Sequence, residues 1–276
     1  MTRIITERYA LRAQTAAWRA GSKRSALVPT MGALHSGHLA LVERACALAD
    51  VTIVSIYVNP KQFAPSEDFA TYPRTFETDC DAAFAAGADV IWAPHTKTMY
   101  GPTFATDIVP RGAALGLEAE TRPHFFTGVA TVCTKLFGQC TPDVAVFGEK
   151  DFQQLTVIRQ IVRDLDLPLT IEGVETVRDA NGLALSSRNA YLSDAERMIA
   201  PRLYETLDVA RQDIMAGGAV ENVEKQYAED LLRVGFDTVD YVAIRRADDL
   251  SALPNEPLPT GCDARILAAA HLGGTR

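Results

Sequence analysis

Cysteine is scarce in this chain, and it is unpatterned. The five, Cys46, Cys80, Cys133, Cys140 and Cys262, include no Cys-x-x-Cys pair and are too scattered for a disulfide framework, so a reducing, cytoplasmic location is expected. Basic residues are also in deficit. Lys and Arg number 27 against 35 Asp and Glu, a net charge of -8 with no basic run, which argues against nucleic acid as a partner. Long hydrophobic runs are missing too. The start, Met1-Thr2-Arg3-Ile4-Ile5, has no apolar signal core, and no stretch approaches the roughly 18 apolar residues of a membrane span. What remains is a 276-residue chain, 47% hydrophobic and 22% charged, long enough for one large core and a smaller second one. Small anionic substrates stay open, because they need only a locally positive pocket.

The most informative stretch is Pro29-Thr30-Met31-Gly32-Ala33-Leu34-His35-Ser36-Gly37-His38. It joins the short apolar run Ala26-Leu27-Val28, read as a buried strand, to a helix in which Leu39, Val42, Cys46 and Ala49 fall at helical spacing. Such a turn is where open α/β sheets bind ligands. Gly32 and Gly37 let a phosphate approach the backbone, and a helix starting near Gly37 lets both imidazoles face one phosphate group. Two other readings of the histidine pair are half of a metal site and an ordinary surface turn. The first lacks a nearby Cys-rich or Glu-rich partner motif.

The same grammar repeats along the chain. A first helix is expected over Thr6–Ala20, a β-branched strand over Val51–Val58, and a ligand-lining loop over Asn59–Tyr72 that carries Gln62 and Phe63. A helix over Arg74–Ala86 and a strand over Asp89–Ala93 follow. Residues 94–123 are illegible apart from one strand candidate at Asp107–Val109. A helix over Gly128–Cys140 leads to the strand Asp143–Phe147 and the charged turn Gly148-Glu149-Lys150-Asp151, which opens the helix Phe152–Asp164. Strands alternating with helices predict a parallel, Rossmann-like α/β sheet. Leu169–Ile171 reads as its last strand and Val174–Arg178 as one arm of a hairpin. The segment Leu185-Ser186-Ser187-Arg188-Asn189 precedes a Ser193–Glu196 capping box, a helix running to Gly217, a second over Val220–Val234, and strands at Thr238–Ile244 and Ala264–Ala270. The expected division is 1–177 for the Rossmann-like part and 178–276 for a smaller α+β domain.

Five motifs in this order, Pro29 to His38, Val58-Asn59-Pro60-Lys61-Gln62-Phe63, Tyr72-Pro73-Arg74-Thr75, Phe147 to Gln154 and Leu183 to Asn189, resemble the pantothenate synthetases, a family within the His-x-Gly-His nucleotidyltransferases. The resemblance implies condensation of (R)-pantoate with β-alanine, using ATP and Mg²⁺, through a pantoyl adenylate with release of AMP and pyrophosphate. It places Met31, Gly32, Ala33, Leu34, His35, Ser36, Gly37 and His38 at the ATP, with His38 as proton donor and His35 its partner. Gly148, Glu149, Lys150, Asp151, Val177, Leu185, Ser186, Ser187 and Arg188 would complete the nucleotide pocket. Gln62 and Gln154 would hold pantoate, Gln62 also lying near β-alanine. A homodimer, and a small domain closing over ATP, are implied as well.

The residue types suit that chemistry. Pantoate's carboxylate is ionised at pH 7, so activation needs charge neutralisation around the phosphates rather than a base, and His35, His38, Lys150 and Arg188 are the candidates for it. One departure is visible. The family pattern Arg-Pro-x-His-Phe becomes Arg122-Pro123-His124-Phe125-Phe126, which leaves Arg122 as a contact for β-alanine or phosphate and displaces the histidine. Asp79 is the acidic candidate for Mg²⁺, with the ion resting mainly on phosphates and water. A nucleotidyltransferase that keeps the nucleotide in its product and a non-catalytic ATP sensor are the alternative readings.

Overall fold

The computed structural model describes residues 3–65 and 67–276; Ser66, inside the expected ligand loop Asn59–Tyr72, lies outside the described residues, as do Met1 and Thr2. By contacts the chain divides into two units, one of residues 1–111 with 122–176, the other of 112–121 with 177–276.

The first unit holds a six-stranded parallel sheet: β1 (Ile4–Ile5), β2 (Ser25–Thr30), β3 (Val51–Ile56), β4 (Val90–Trp92), β5 (Val144–Gly148) and β6 (Thr170–Val174), in the order β1-β4-β3-β2-β5-β6. Both faces are covered, which is why its strands are apolar runs rather than alternating ones. Leu27, Val28, Ile53, Val54, Ile91 and Val146 are all fully enclosed. Helices α1 (Arg8–Ala20), α2 (Ser36–Leu48), α3 (Phe76–Ala85), α4 (Thr96–Met99), α6 (Phe125–Cys140) and α7 (Phe152–Asp164) belong to this unit, and α5 (Glu118–Thr121) to the other. The indole of the buried Trp92 donates to Gln139 of α6 at 3.2 Å, so the one polar atom of that ring is satisfied inside the core.

Strand order reverses between β2 and β5. β2 continues into β3 and β4 on one side and meets β5 and β6 on the other, and its ladder to β5 spans only Ala26 and Leu27. The last residues of β2, Val28 to Thr30, are unpaired on that side, which opens a crevice at the carboxyl ends of the two strands.

The second unit packs α8 (Asp194–Ile199), α9 (Arg202–Met215) and α10 (Val220–Arg233) with the antiparallel pair β7 (Thr238–Arg246) and β8 (Ala264–His271). Ile214, Val223, Tyr227, Leu231 and Ile244 make its core.

Several expectations are corrected here. β1 is an unforeseen two-residue edge strand. The strand expected at Asp107–Val109 does not form; instead Ile108 N donates to Thr131 Oγ1 at 3.0 Å. The helix expected from the capping box to Gly217 is broken at Ala200–Pro201, because proline lacks the N–H that would continue α8. The hairpin after β6 shrinks to one bridge, Arg178 with Ala184, since Val174 belongs to the parallel sheet.

Candidate active site

The turn from β2 into α2 is set by backbone conformation first. Gly32 and Ala33 both adopt left-handed conformations, φ 84° and 51°, and the strained pair is held by a carboxylate. Asp79 of α3, 2% exposed, accepts from Ala33 N at 2.9 Å and Leu34 N at 2.8 Å, while Thr75 Oγ1 donates to it at 3.1 Å. Any side chain at position 32 would strike it: a Cβ on Gly32 would lie 2.9 Å from Asp79 Oδ2. The amides of Ala33 and Leu34 are therefore occupied. At these two positions the anion the turn binds is the protein's own.

The histidines take over the donor role. His35 caps α2, its Nδ1 accepting from Gly37 N at 3.2 Å, and His38 Nδ1 accepts from His35 N at 3.4 Å. With Nδ1 accepting, the neutral ring carries its proton on Nε2, so each imidazole presents one outward N–H. The rings stand 4.1 Å apart. Burial, then His35 and Lys150, push the His38 ring down from 6.5 to about 3, against an upward pull from Asp151. His35 is lowered as well, by burial and then by Lys150. At neutral pH each ring is thus an uncharged N–H donor, with the Lys150 ammonium near the pair.

Lys150 lies in the 3-10 turn Glu149–Asp151 at the end of β5, the other side of the crevice, with Asp151 Oδ1 3.4 Å from its Nζ. The fold thus assembles Met31–His38 and Gly148–Asp151 around one point, as β2 and β5 end side by side. Val177 and Leu185 to Arg188 belong to the second unit. Within it Leu185 N donates to Val177 O at 3.0 Å, and Ser186 Oγ accepts from Arg188 N at 3.2 Å, which leaves the hydroxyl proton to donate elsewhere.

Gln62 joins the first group. It ends the 3-10 turn Pro60–Gln62 beyond β3, is 8% exposed, and directs Nε2 at Met31 Sδ, 3.1 Å away. Gln154, half-buried on α7, makes no side-chain hydrogen bond among the described residues. Arg122 forks onto Glu67 at 2.9 and 2.6 Å, donates to Gln62 O at 3.0 Å, and has Phe125 stacked 4.0 Å from its Cζ. Burial alone would raise the Glu67 carboxyl, but Arg122's hydrogen bonds and charge more than offset it, so it is lowered. His124 precedes α6 and buries an Nε2 that meets no hydrogen-bond partner among the described residues.

The sequence places Asn59 in the ligand-lining loop and in the second motif but shows no role for it. The residue is 1% exposed and donates through Nδ2 to Gln62 Oε1 at 3.1 Å and Gly128 O at 3.2 Å. An Asn directly before a Pro is a cap signal that was there to be used.

A family model for pantoate-β-alanine ligase matches residues 3–276. The chain belongs to that family. It is therefore an enzyme, a ligase of an acid with an amino acid. The chain is 50% identical over 273 residues to a pantothenate synthetase of Paramagnetospirillum magneticum, covering 99% of this chain and 95% of that one. It also resembles the crystal structure of a pantothenate synthetase from Thermus thermophilus, with TM-score 0.90, 41% identity, and 99% and 96% of the two chains covered. A pantoate-β-alanine ligase from Francisella tularensis, solved with β-γ ATP and β-alanine, matches with TM-score 0.82 and 31% identity over 100% and 95% of the chains. The overall fold is thus shared with these two solved structures.

Proposed function

We propose that this chain makes pantothenate by joining (R)-pantoate to β-alanine at the expense of ATP, with the acid activated as pantoyl adenylate and AMP and pyrophosphate released. The observation that carries the mechanism is the paired imidazoles with outward Nε2–H groups beside Lys150, at the crevice where Gln62 touches Met31. The pantoate carboxylate attacks the α-phosphorus. His35 and His38 donate hydrogen bonds to the phosphate oxygens on which charge builds, and Lys150 offsets the charge of the departing pyrophosphate. The amine of β-alanine then attacks the acyl carbon, forming the C–N bond as the bond to AMP breaks. Met31 to His38 and Gly148 to Asp151 are assigned to the nucleotide, Gln62 and Gln154 to pantoate. Val177, Leu185, Ser186, Ser187 and Arg188 stay with the nucleotide on the strength of the resemblance, as does the homodimer; the 177/178 division rests on the end of the strand–helix alternation and the cytoplasmic location on the scattered cysteines. With its guanidinium committed to Glu67 and Gln62 O, Arg122 is assigned to holding the substrate loop rather than to binding β-alanine itself.

Mg²⁺ enters this proposal as part of the nucleotide substrate. Among the described residues no group of three His, Cys, Asp or Glu could hold a metal, and both oxygens of Asp79 are engaged by Ala33, Leu34 and Thr75. The residues do not form a protein cage for the ion, so no step is routed through one.

The choice between an acyl adenylate and an acyl phosphate is decided by isotope. Pantoate labelled with oxygen-18 in its carboxylate should pass one labelled atom to AMP over a full turnover. Label found in inorganic phosphate, with ADP as co-product, rules the adenylate out.

A further inference from the structure

We infer that Tyr100 is a positioning residue for the acid site: its phenol, bonded to Asn59, anchors the orientation that backbone groups give Asn59 and, through it, the side-chain amide of Gln62. The inference rests on the assignment of Gln62 to pantoate. A glutamine amide has a donor end and an acceptor end of nearly equal shape, so a site that uses Gln62 to read a carboxylate or hydroxyl must specify its orientation from behind.

Backbone groups start the specification. Gly128 O can only accept, and it takes a hydrogen from Asn59 Nδ2 at 3.2 Å; Lys61 N can only donate, and it faces Asn59 Oδ1 at 3.4 Å. These two identities settle the Asn59 amide without reference to any side chain. Its second Nδ2 hydrogen goes to Gln62 at 3.1 Å, so the atom received there must be Oε1, and Nε2 is turned toward Met31 and the crevice.

The Lys61 contact is long, and Asn59 is 1% exposed, so water does not supplement its carbonyl. Tyr100 does. Its OH donates to Asn59 Oδ1 at 2.8 Å, the shortest bond in the relay. The Tyr100 ring packs among aromatic rings, its centroid 5.0 Å from that of Phe104 and 6.4 Å from that of Tyr57, and burial followed by the proximity of Tyr57 raises its phenol well above an ordinary one. It keeps its proton throughout any working range and remains a donor. Removing that oxygen leaves Asn59 Oδ1 with one weak backbone partner and loosens the hold on both amides, with Gly128 O still bonded to Asn59 Nδ2.

The test compares Tyr100→Phe with Phe104→Leu, which disturbs the same aromatic packing without touching a hydroxyl, and with Gln62→Ala. Tyr100→Phe should raise the KM for pantoate about tenfold while leaving the KM for ATP within about twofold, and Phe104→Leu should leave both near wild type. Combined with Gln62→Ala, Tyr100→Phe should add nothing further. In ¹⁵N spectra of the full chain, the Gln62 side-chain NH₂ pair should shift and broaden in Tyr100→Phe alone. Equal rises in both KM values, an additive double variant, or a pantoate KM within about twofold of wild type overturns the role. An unmoved Gln62 NH₂ signal overturns the relay itself. Wild-type pantoate KM in Gln62→Ala instead refutes the assignment of Gln62 to pantoate, and the NMR signal then decides the relay on its own.

Discussion

A histidine that spends Nδ1 on a backbone amide has only Nε2 left to offer, and at His35 and His38 that geometry decides the chemistry more than charge does. Histidines at this spacing suggest two cations around a phosphate; with both rings lowered by burial and by the nearby Lys150, they are neutral donors instead. Replacing either by Ala should lower kcat/KM by roughly a hundredfold, about 3 kcal/mol of lost transition-state stabilisation. His38→Gln, which keeps an N–H of similar reach, should recover part of that. If His38→Gln were as damaged as His38→Ala in steady-state assays, the ring would be transferring a proton rather than donating a hydrogen bond. The histidine pair and Lys150 were legible in the sequence because their spacing and their place after buried strands both carry information. Asp79 was legible as an acid but not in its role, because no sequence pattern tells which backbone amides a helix beyond the next strand will reach.

At the scale of elements, the loop proposed to bind the acid depends on how closely α6 approaches it. Gly128 is the point of closest approach: a Cβ there would overlap Lys61 O and lie 2.6 Å from its carbonyl carbon, both backbone atoms that cannot rotate away. Gly128→Ala should push the 3-10 turn Pro60–Gln62 off α6, stretch the Asn59 to Gly128 bond, and cost about 1–3 kcal/mol of stability. Denaturant unfolding measures that cost, and pantoate KM should rise with it while helix content stays constant. A variant as stable as wild type would mean that α6 can retreat. The parallel sheet was readable because strands buried on both faces are unbroken apolar runs, as in Val51 to Ile56. Residues 94–123 were not. They fold as coil with the one-turn helices α4 and α5 and a 3-10 turn at Gly112–Ala114, too short to show a period, and are pinned by single bonds such as Ile108 N to Thr131 Oγ1. Pro201 was a visible signal whose helix-breaking consequence was passed over.

For the whole molecule, the neutral histidines tie the turn between β2 and α2 to global stability. A ring whose folded value lies near 3, against 6.5 unfolded, is protonated more readily in the unfolded chain, so acid draws the equilibrium toward unfolding. The sign follows from proton counts. Above about pH 6.5 neither state binds the proton and His38 is without effect; between about 6.5 and 3 the unfolded state binds more, and stability falls with pH at up to about 1.4 kcal/mol per unit; below about 3 the loss is complete. His35, also lowered, adds to the fall in the upper part of that window. The net charge of -8 works in the opposite direction, since acid reduces self-repulsion as carboxylates protonate, so the wild-type profile alone mixes the two effects. The difference between variants separates them. His38→Ala removes the ring and leaves every carboxylate in place, so its unfolding free energy, relative to wild type, should improve steadily as pH falls from about 6.5 toward 4.5 and be flat between about 7 and 8. Urea titrations of both proteins at matched ionic strength measure this directly. A stability difference that stays constant from about pH 8 to 4.5 means that His38 titrates alike in both states, and that its neutral role in the folded site is wrong.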